Sequence, residues 1–331
     1  MTGRSDKSYG NLLSKFKKKE ISKKKPPIGM VFIKGGTFLV GPYGNNIYPD
    51  NKKFIQSIVS PFFMDQELMK NGLYRCFLDD VLLNNDNQET NNNESDKLNY
   101  NDSIQTENDG LKSKDGFLDE KNEEKNQNEE KYKNLVYKGI KLYPNFGSWQ
   151  ELNIGAGTKS FHDRMGDSKK GYFITFLNYP VVGVHREAAV LMGEWRTKMC
   201  NSNYVYRLPD AIESEYVWKC GKSLVKYSCE SNYPKDKIGN PLMNIKFMRG
   251  SYGCKDLVGP CDSKKFPVND FGLYSMSGGN LYIWTSSNKN NLAIVVGGSW
   301  SSCNFYAQPG NYLCTDEIGK ANIGFRHVVS C

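Results

Sequence analysis

The chain has 331 residues, of which 13% are aromatic and 38% hydrophobic, with 31 glycines and a formal net charge of +8. No run of about 18 apolar residues occurs, which excludes a membrane-spanning helix, and many glycines with short aliphatic runs argue against a helical bundle. The sequence carries no zinc-finger or RNP-like spacing, so nucleic-acid binding is set aside.

Much of the excess charge sits in the first 27 residues, where Lys15, Lys17, Lys18, Lys19, Lys23, Lys24 and Lys25 crowd together. Such a run is a solvated flexible arm, or a dock for phosphate or an anionic membrane surface. The start Met-Thr-Gly-Arg has no apolar signal core, and the first cysteine is Cys76. Read literally, the chain starts in the cytoplasm; the alternative is a start or a removed signal upstream of Met1.

From Pro26-Pro27 the sequence IGMVFIKGGTFLVGP places Met30, Phe32, Phe38 and Val40 in short runs on either side of Gly35-Gly36, which reads as a β-hairpin. Phe54 to Phe63 reads as a further strand leading into FFMDQ. Asn71 to Leu83 reads as an amphipathic helix with Leu73, Phe77 and Val81 on one face. Residues 84 to 135 are so rich in Asn, Asp, Glu, Lys and Ser that they are expected to form a disordered insert interrupting one domain.

Order is expected again near Leu135, through Tyr143, Phe146 and Trp149. Pro180, Val181, Val182 and Val184 read as a short buried strand; from Arg186, Ala188, Ala189, Met192 and Trp195 follow helical spacing on a core-facing side. In YRLPDAIESEYVW, Asp210 is placed as the N-cap and Glu213 as its capping-box partner for a second helix. After Gly221 the sequence is loop-like, with MNIKFMRGSYG and FPVNDFGLYSMSGGNLYIWTSS as ordered points.

Nine cysteines, none in a Cys-x-x-Cys arrangement, give no support to a structural zinc site or a thioredoxin-like motif. Most are expected to be small buried hydrophobes; Cys254 with Cys261, or Cys220 with Cys229, would bridge only in an oxidising compartment.

Four ordered segments carry a resemblance: GMVFIKGGTFLVG, YPVVGVHREAAVLMGEWRT, YRLPDAIESEYVW, and NDFGLYSMSGGNLYIWTSS followed by GGSW and GFR. Together they resemble the formylglycine-generating-enzyme (sulfatase-modifying factor) domain family over residues 28 to 331 apart from the insert. The resemblance implies an α+β fold, irregular and related to C-type lectins, with little regular secondary structure. Within that family FFMDQ, NIKFMRGSYG, GGSW and the Pro309-Gly310 pair before IGFR are similar to the gliding-motility lipoproteins of the GldK (PorK) and GldJ type. That similarity implies a non-enzymatic homo-oligomeric part of the Bacteroidota type IX secretion machinery at the periplasmic face of the outer membrane. Its implied partners are a GldN-like ring subunit and GldL- and GldM-like membrane components, with peripheral membrane association.

The family's oxidase uses two cysteines four residues apart after the GGS-aromatic turn, where soft thiolates hold copper. Here Cys303 falls near the first position, and the next cysteine, Cys314, is eleven residues away. Cys303 is thus a weak catalytic candidate, or a half-buried thiol beside Trp300, and copper is not expected. The family's calcium-binding segment carries a carboxylate where this chain has Ile283, after the extra Gly278; Asp270 and Asn280 remain as weak calcium candidates, or as turn-forming Asx residues. His185 stands where relatives carry serine, without a recognisable acid or nucleophile partner, and is expected to be a surface or satisfied histidine. Arg207 and Arg326 are expected to be buried guanidinium anchors that tie loop carbonyls together. Trp195, Trp284, Gly297, Gly298, Trp300, Gly324 and Phe325 complete the structural anchors. The competing functional readings are a formylglycine-generating oxidase and a lectin-like glycan-binding module.

Overall fold

The computed structural model describes residues 25–41, 55–96, 132–145, 176–200, 203–223, 225–227, 233–248, 251–252, 259–276 and 280–331. The basic arm up to Lys24, most of the insert, Phe146, Trp149, His162, Cys229, Cys254 and Gly278 lie outside the described residues.

Two four-stranded sheets organise the molecule. In the first, β1 (Met30–Ile33), β4 (Phe62–Asp65), β14 (Val328–Ser330) and β7 (Tyr206–Arg207) lie side by side in that order. In the second the order is β12 (Tyr312–Thr315), β11 (Leu292–Val296), β10 (Tyr282–Lys289) and β13 (Ile323–Gly324), the last pairing parallel to β10. Three pairs of short strands, β2 (Gly36–Val40) with β3 (Ile55–Val59), β5 (Val136–Tyr137) with β6 (Ile140–Lys141), and β8 (Lys246–Met248) with β9 (Ser251–Tyr252), decorate them. Helices α1 (Asn71–Asp96), α2 (Arg186–Met199) and α3 (Ala211–Trp218) complete a mixed α+β fold with long irregular connections.

The expected hairpin across Gly35-Gly36 does not form. β1 pairs with β4 and β2 with β3, and between Ile33↔Phe62 and Gly36↔Val59 both strands advance by three residues, so one antiparallel ribbon runs through the break in a single register. Gly35 has φ +67, and a Cβ there would stand 2.4 Å from the Val59 carbonyl oxygen and 2.8 Å from the Pro61 nitrogen. On the facing strand, Pro61 has no N–H to give to a ladder. The two glycines mark a crease in one strand of the ribbon, and the strand predicted from Phe54 to Phe63 is split there.

Every residue of β4 is buried because both its faces are covered: Phe62 and Met64 enter the main core, while Phe63 packs with Met30, Tyr206 and Val329 in a smaller cluster. Helix α1 buries Tyr74, Phe77, Leu78 and Val81, whereas Leu73 is 41% exposed. Phe77 and Val81 are thus on the core face as predicted, and the stripe opens on Tyr74 instead of Leu73 and gains Leu78, at i, i+3, i+4, i+7 spacing. The helix also continues to Asp96, into the segment expected to be structureless, and Tyr132 and Leu135 pack into the core at the far side of the insert.

Val181, Val182 and Val184 are fully buried as expected but belong to an irregular extended segment, with only Pro180 bridging to Lys70. Gly183 (φ +75) breaks any ladder there; its Cα lies so close to Asn145 that a Cβ would meet the Asn145 oxygen at 2.8 Å. Helix α2 follows its predicted stripe, with Ala188, Ala189 and Met192 buried. Helix α3 opens with the predicted capping box, Glu213 N donating to Asp210 Oδ1 at 2.6 Å and Asp210 N donating to Glu213 Oε2 at 2.9 Å.

The crease generates a paired prediction. Gly35→Ala combines a left-handed backbone with a backbone clash and is expected to destabilise the fold by about 2–4 kcal/mol, whereas Gly139→Ala, at φ +78 with nothing within 4 Å, meets only the conformational penalty of about 1 kcal/mol. Urea midpoints of the two variants against the parent chain measure the difference.

Candidate functional site

The segment from Val295 to His327 holds the features singled out in the sequence. Gly297 (φ +105) and Gly298 (φ +66) turn the chain at the end of β11, and a Cβ on Gly298 would stand 3.0 Å from the Tyr306 carbonyl. Trp300 then plunges into the core, wholly buried, its backbone N–H donating to Asn280 O at 3.1 Å and its indole N–H to Ala321 O at 3.4 Å. Three serines tie the turn to itself: Ser299 N donates to Ser302 Oγ at 2.6 Å, Ser302 Oγ to Ser299 O at 2.9 Å, and Ser301 Oγ accepts from Asn322 Nδ2 at 3.1 Å.

Cys303 follows this turn and is exposed, not half-buried; its backbone bridges to Lys246. Cys314 lies on edge strand β12, opposite Ile294, and is exposed as well. Neither is in a disulfide, nor are Cys76, Cys200, Cys220, Cys331 and the buried Cys261. Cys303 and Cys314 hang on separate elements, one bridging to β8 and the other pairing with β11.

The calcium candidates are not brought together either. Asn280 (φ +76) is wholly buried, and its amide is consumed internally: Oδ1 accepts from Cys261 N at 2.6 Å and from Asn244 Nδ2 at 3.2 Å, while Nδ2 donates to Cys261 O. Asp270 is exposed and paired with Lys222 at 2.7 Å. Neither offers the convergent hard oxygens that calcium needs, and among the described residues no group of three or more His, Cys, Asp or Glu could hold a metal ion. Asn280 is an Asx-type tie, clasping the loop that carries Cys261.

The chemistry that the segment does concentrate is electrostatic and internal. Arg326 is wholly buried, its Nη1 donating to Asp65 O at 3.0 Å and Gln66 O at 3.1 Å and its Nη2 to Tyr274 O. It is the carbonyl anchor expected, and burial pulls the guanidinium down to about 10. Gly324, two residues earlier, lets β13 approach: a Cβ there would meet Leu281 Cδ1 at 2.6 Å and Val181 O at 3.1 Å. Phe325 between them is fully buried, with rings of Tyr74 and His327 against it.

Next to Arg326 lies a knot the sequence reading missed. Asp65, at the end of β4, receives a two-pronged contact from Arg196 of α2, Nη1 to Oδ2 at 2.7 Å and Nη2 to Oδ1 at 3.0 Å. Asp65 Oδ2 also accepts from His327 N at 2.8 Å, and Asp65 N donates back to His327 O at 3.0 Å. The His327 ring links Arg196 to the backbone of α2: Nδ1 stands 3.1 Å from Arg196 Nη1 and Nε2 stands 2.9 Å from Ala189 O. A guanidinium only donates and a carbonyl only accepts, so the ring is neutral with its proton on Nε2. Arg196 further stacks over the Tyr206 ring at 4.2 Å. The signal was present: Arg196 sits four residues after Met192 on the stripe predicted to face the core, and Asp65 closes the apolar run FFMD.

The remaining anchors divide. Trp284 is wholly buried with its N–H on Val184 O at 3.0 Å, as an anchor should be. Trp195 is half-buried and donates to Asp80 Oδ2 at 2.9 Å, joining α2 to α1. Arg207 departs from expectation: its side chain is 38% exposed and it grips a carboxylate, Glu213, through two bonds of 2.7 and 2.8 Å, with one weaker bond to Leu208 O. Besides Arg196, a further buried cation that the sequence reading did not name is Arg186, whose Nε and Nη2 donate to Thr285 O and Ser286 O at 2.9 and 2.8 Å. His185, just before it, is half-buried and makes no side-chain cap; burial and Lys141 lower its affinity for a proton.

His327 generates a pH prediction. Its folded pKa falls to about 4 from an ordinary 6.5, first because of burial and then because Arg196 faces it. The unfolded chain therefore takes up this proton at a pH where the folded chain does not. The contribution is whole above pH 6.5 and is lost as pH falls toward 4, a loss of about 3 kcal/mol over the window. His327→Gln keeps a donor for Ala189 and an acceptor for Arg196 without a titrating proton; urea midpoints from pH 7.5 to 4.5 are expected to fall less steeply for it than for the parent chain.

Comparison with known proteins places this geometry. The chain superposes on PvdO from Pseudomonas aeruginosa with a TM-score of 0.53 at 16% identity, covering 91% of this chain and 94% of that one. It superposes on Treponema denticola variable protein 1 with a TM-score of 0.51 at 13% identity, covering 91% and 95%. No individually curated protein matches the sequence. The family model for the sulfatase-modifying factor enzyme 1-like domain matches residues 15–331, and with the irregular two-sheet fold and its GGSW and GFR anchors in place, the chain belongs to that family.

Proposed function

We propose that the chain is a non-catalytic scaffold subunit that works through its surface, of the GldK kind in the gliding-motility and type IX secretion machinery. In this reading it assembles as a homo-oligomer with a GldN-like ring partner at the periplasmic face of the outer membrane, next to GldL- and GldM-like membrane components. The observation that carries the non-catalytic part is the position of the thiols: Cys303 is exposed after the Gly-Gly turn, and Cys314 stands on a separate strand. The motif order from GMVFIKGGTFLVG through FFMDQ and NIKFMRGSYG to GGSW, Pro309-Gly310 and IGFR supports the GldK assignment. The polar residues of the segment are engaged in holding carbonyls and each other, which suits a rigid building block. The lysine-rich arm suits contact with an anionic surface.

Two measurements decide the proposal. Co-purification of the full chain with a GldN-like protein is expected to give a stable complex of high mass; a monodisperse monomer that ignores that partner counts against it. A sulfatase-motif peptide incubated with the chain, copper and oxygen is expected to keep its cysteine, and turnover that disappears in Cys303→Ser would overturn the non-catalytic reading.

A further inference from the structure

We propose that the cleft between α1 and α2 is a binding site for an organic cation, an alkylammonium or guanidinium group carried on a short apolar stem. This cleft lies apart from the Gly297–Cys303 turn, and the inference stands independently of the scaffold role. It has a volume of about 390 Å³, within the range of small-molecule sites. Its floor is apolar, formed by Phe77, Val81 and Leu191. Its walls carry Tyr137 from the end of β5, and Trp195, whose ring lies 5.6 Å from that of Phe77.

Carboxylates complete the lining. Asp80 and Glu194 against Lys198 leave a net formal charge of −1 on it. Asp80 accepts from Trp195 Nε1 at 2.9 Å and from Asn84 Nδ2 at 3.2 Å, both on Oδ2. Its Oδ1 has no partner among the described residues. The indole is thereby held by the same carboxylate that would meet a ligand.

The mouth already displays the chemistry proposed for its ligand. Lys138, at the left-handed tip of the β5–β6 turn (φ +50), puts its ammonium 2.6 Å from Glu194 Oε2 and 5.7 Å from the centre of the Tyr137 ring. A cation held between an aromatic face and a carboxylate is the arrangement that aromatic cages use for ammonium ligands. Both partners of this pair are about half exposed, at 51% and 48%, and exposed ion pairs are weak. A diffusible cation with an apolar stem can therefore take the place of Lys138 at Glu194, lay its stem on Phe77 and Leu191, and reach Asp80 Oδ1. Lys138 is in this sense a tethered competitor.

Calorimetric titration of the full chain with agmatine tests the site, with n-butylurea as the uncharged counterpart. Agmatine is expected to bind with a Kd on the order of 0.1–1 mM and butylurea not measurably. Asp80→Asn and Glu194→Gln should each weaken binding at least about fivefold, and Lys138→Ala should tighten it by about two- to fivefold, the range set by an exposed pair. Thermal melts of each variant establish that it is folded. Absence of binding at millimolar agmatine, equal binding of butylurea, or a Lys138→Ala variant that binds no more tightly would each overturn the proposal. A Gly-Arg-Gly amide run in parallel identifies the source of the cation: affinity equal to that of agmatine points to a free amine, and affinity at least tenfold greater to a basic side chain on a peptide, both outcomes supporting the site.

Discussion

Asp65 is the point at which the chain is tied. It binds the guanidinium of α2 through Arg196, the backbone of the closing strand through His327, and by its carbonyl the guanidinium of Arg326. These partners come from places 131 and 262 residues away in sequence. An ion pair this deep is costly to desolvate and is sustained only because every oxygen and nearly every N–H in the knot has a partner; leaving one member alone would expose the others to the full desolvation cost. Arg326 Nε is the exception, buried without a partner. A fold with few long ladders has to satisfy its loop carbonyls by other means, and here guanidinium groups serve, Arg326 on three and Arg186 on two.

This use of polar groups also explains the character of the segment after β11. The polar side chains there spend their hydrogen bonds inside the protein, Asn280 on Cys261 and Asn244, Ser301 on Asn322, and Ser299 and Ser302 on their own turn. Reactive thiols and hard metal ligands need unspent valence at a shared point. The cleft between α1 and α2 is arranged the other way, with aromatic rings and two carboxylates gathered around one space and Glu194 held only by the half-exposed Lys138.

What the sequence made legible was local. The Asp210–Glu213 capping box depends on residues three apart, and the core stripe of α2 on spacings within one helix; both appear as read. The ordered motifs carried the fold because their glycines and tryptophans are needed by the backbone path itself. Pairing across distance was not legible: the Gly35-Gly36 pair looked like a hairpin turn because nothing in nearby residues announces that Phe62 and Val59 will lie opposite. On α1 the stripe through Phe77 and Val81 appears as read, and only its first member was misplaced, since Leu73 and Tyr74 are equally suited to a core until a neighbour chooses between them. Arg207 and Arg196 are each a lone basic residue in a motif, and only the tertiary partner, Glu213 or Asp65, decides which is buried.

The place of β14 has a consequence for how the molecule is made. It lies inside the first sheet, flanked by β4 from the beginning of the described chain and β7 from the middle. Until it arrives, β4 and β7 each present an unpaired edge and Asp65 lacks the His327 amide. During synthesis from the N-terminus the first sheet therefore waits, open along its central seam, until Val328–Ser330 follow β4 and β7, and long-range closure of this kind is slow. Insertion of this one strand both completes the ladder between β4 and β7 and delivers the His327 amide to Asp65.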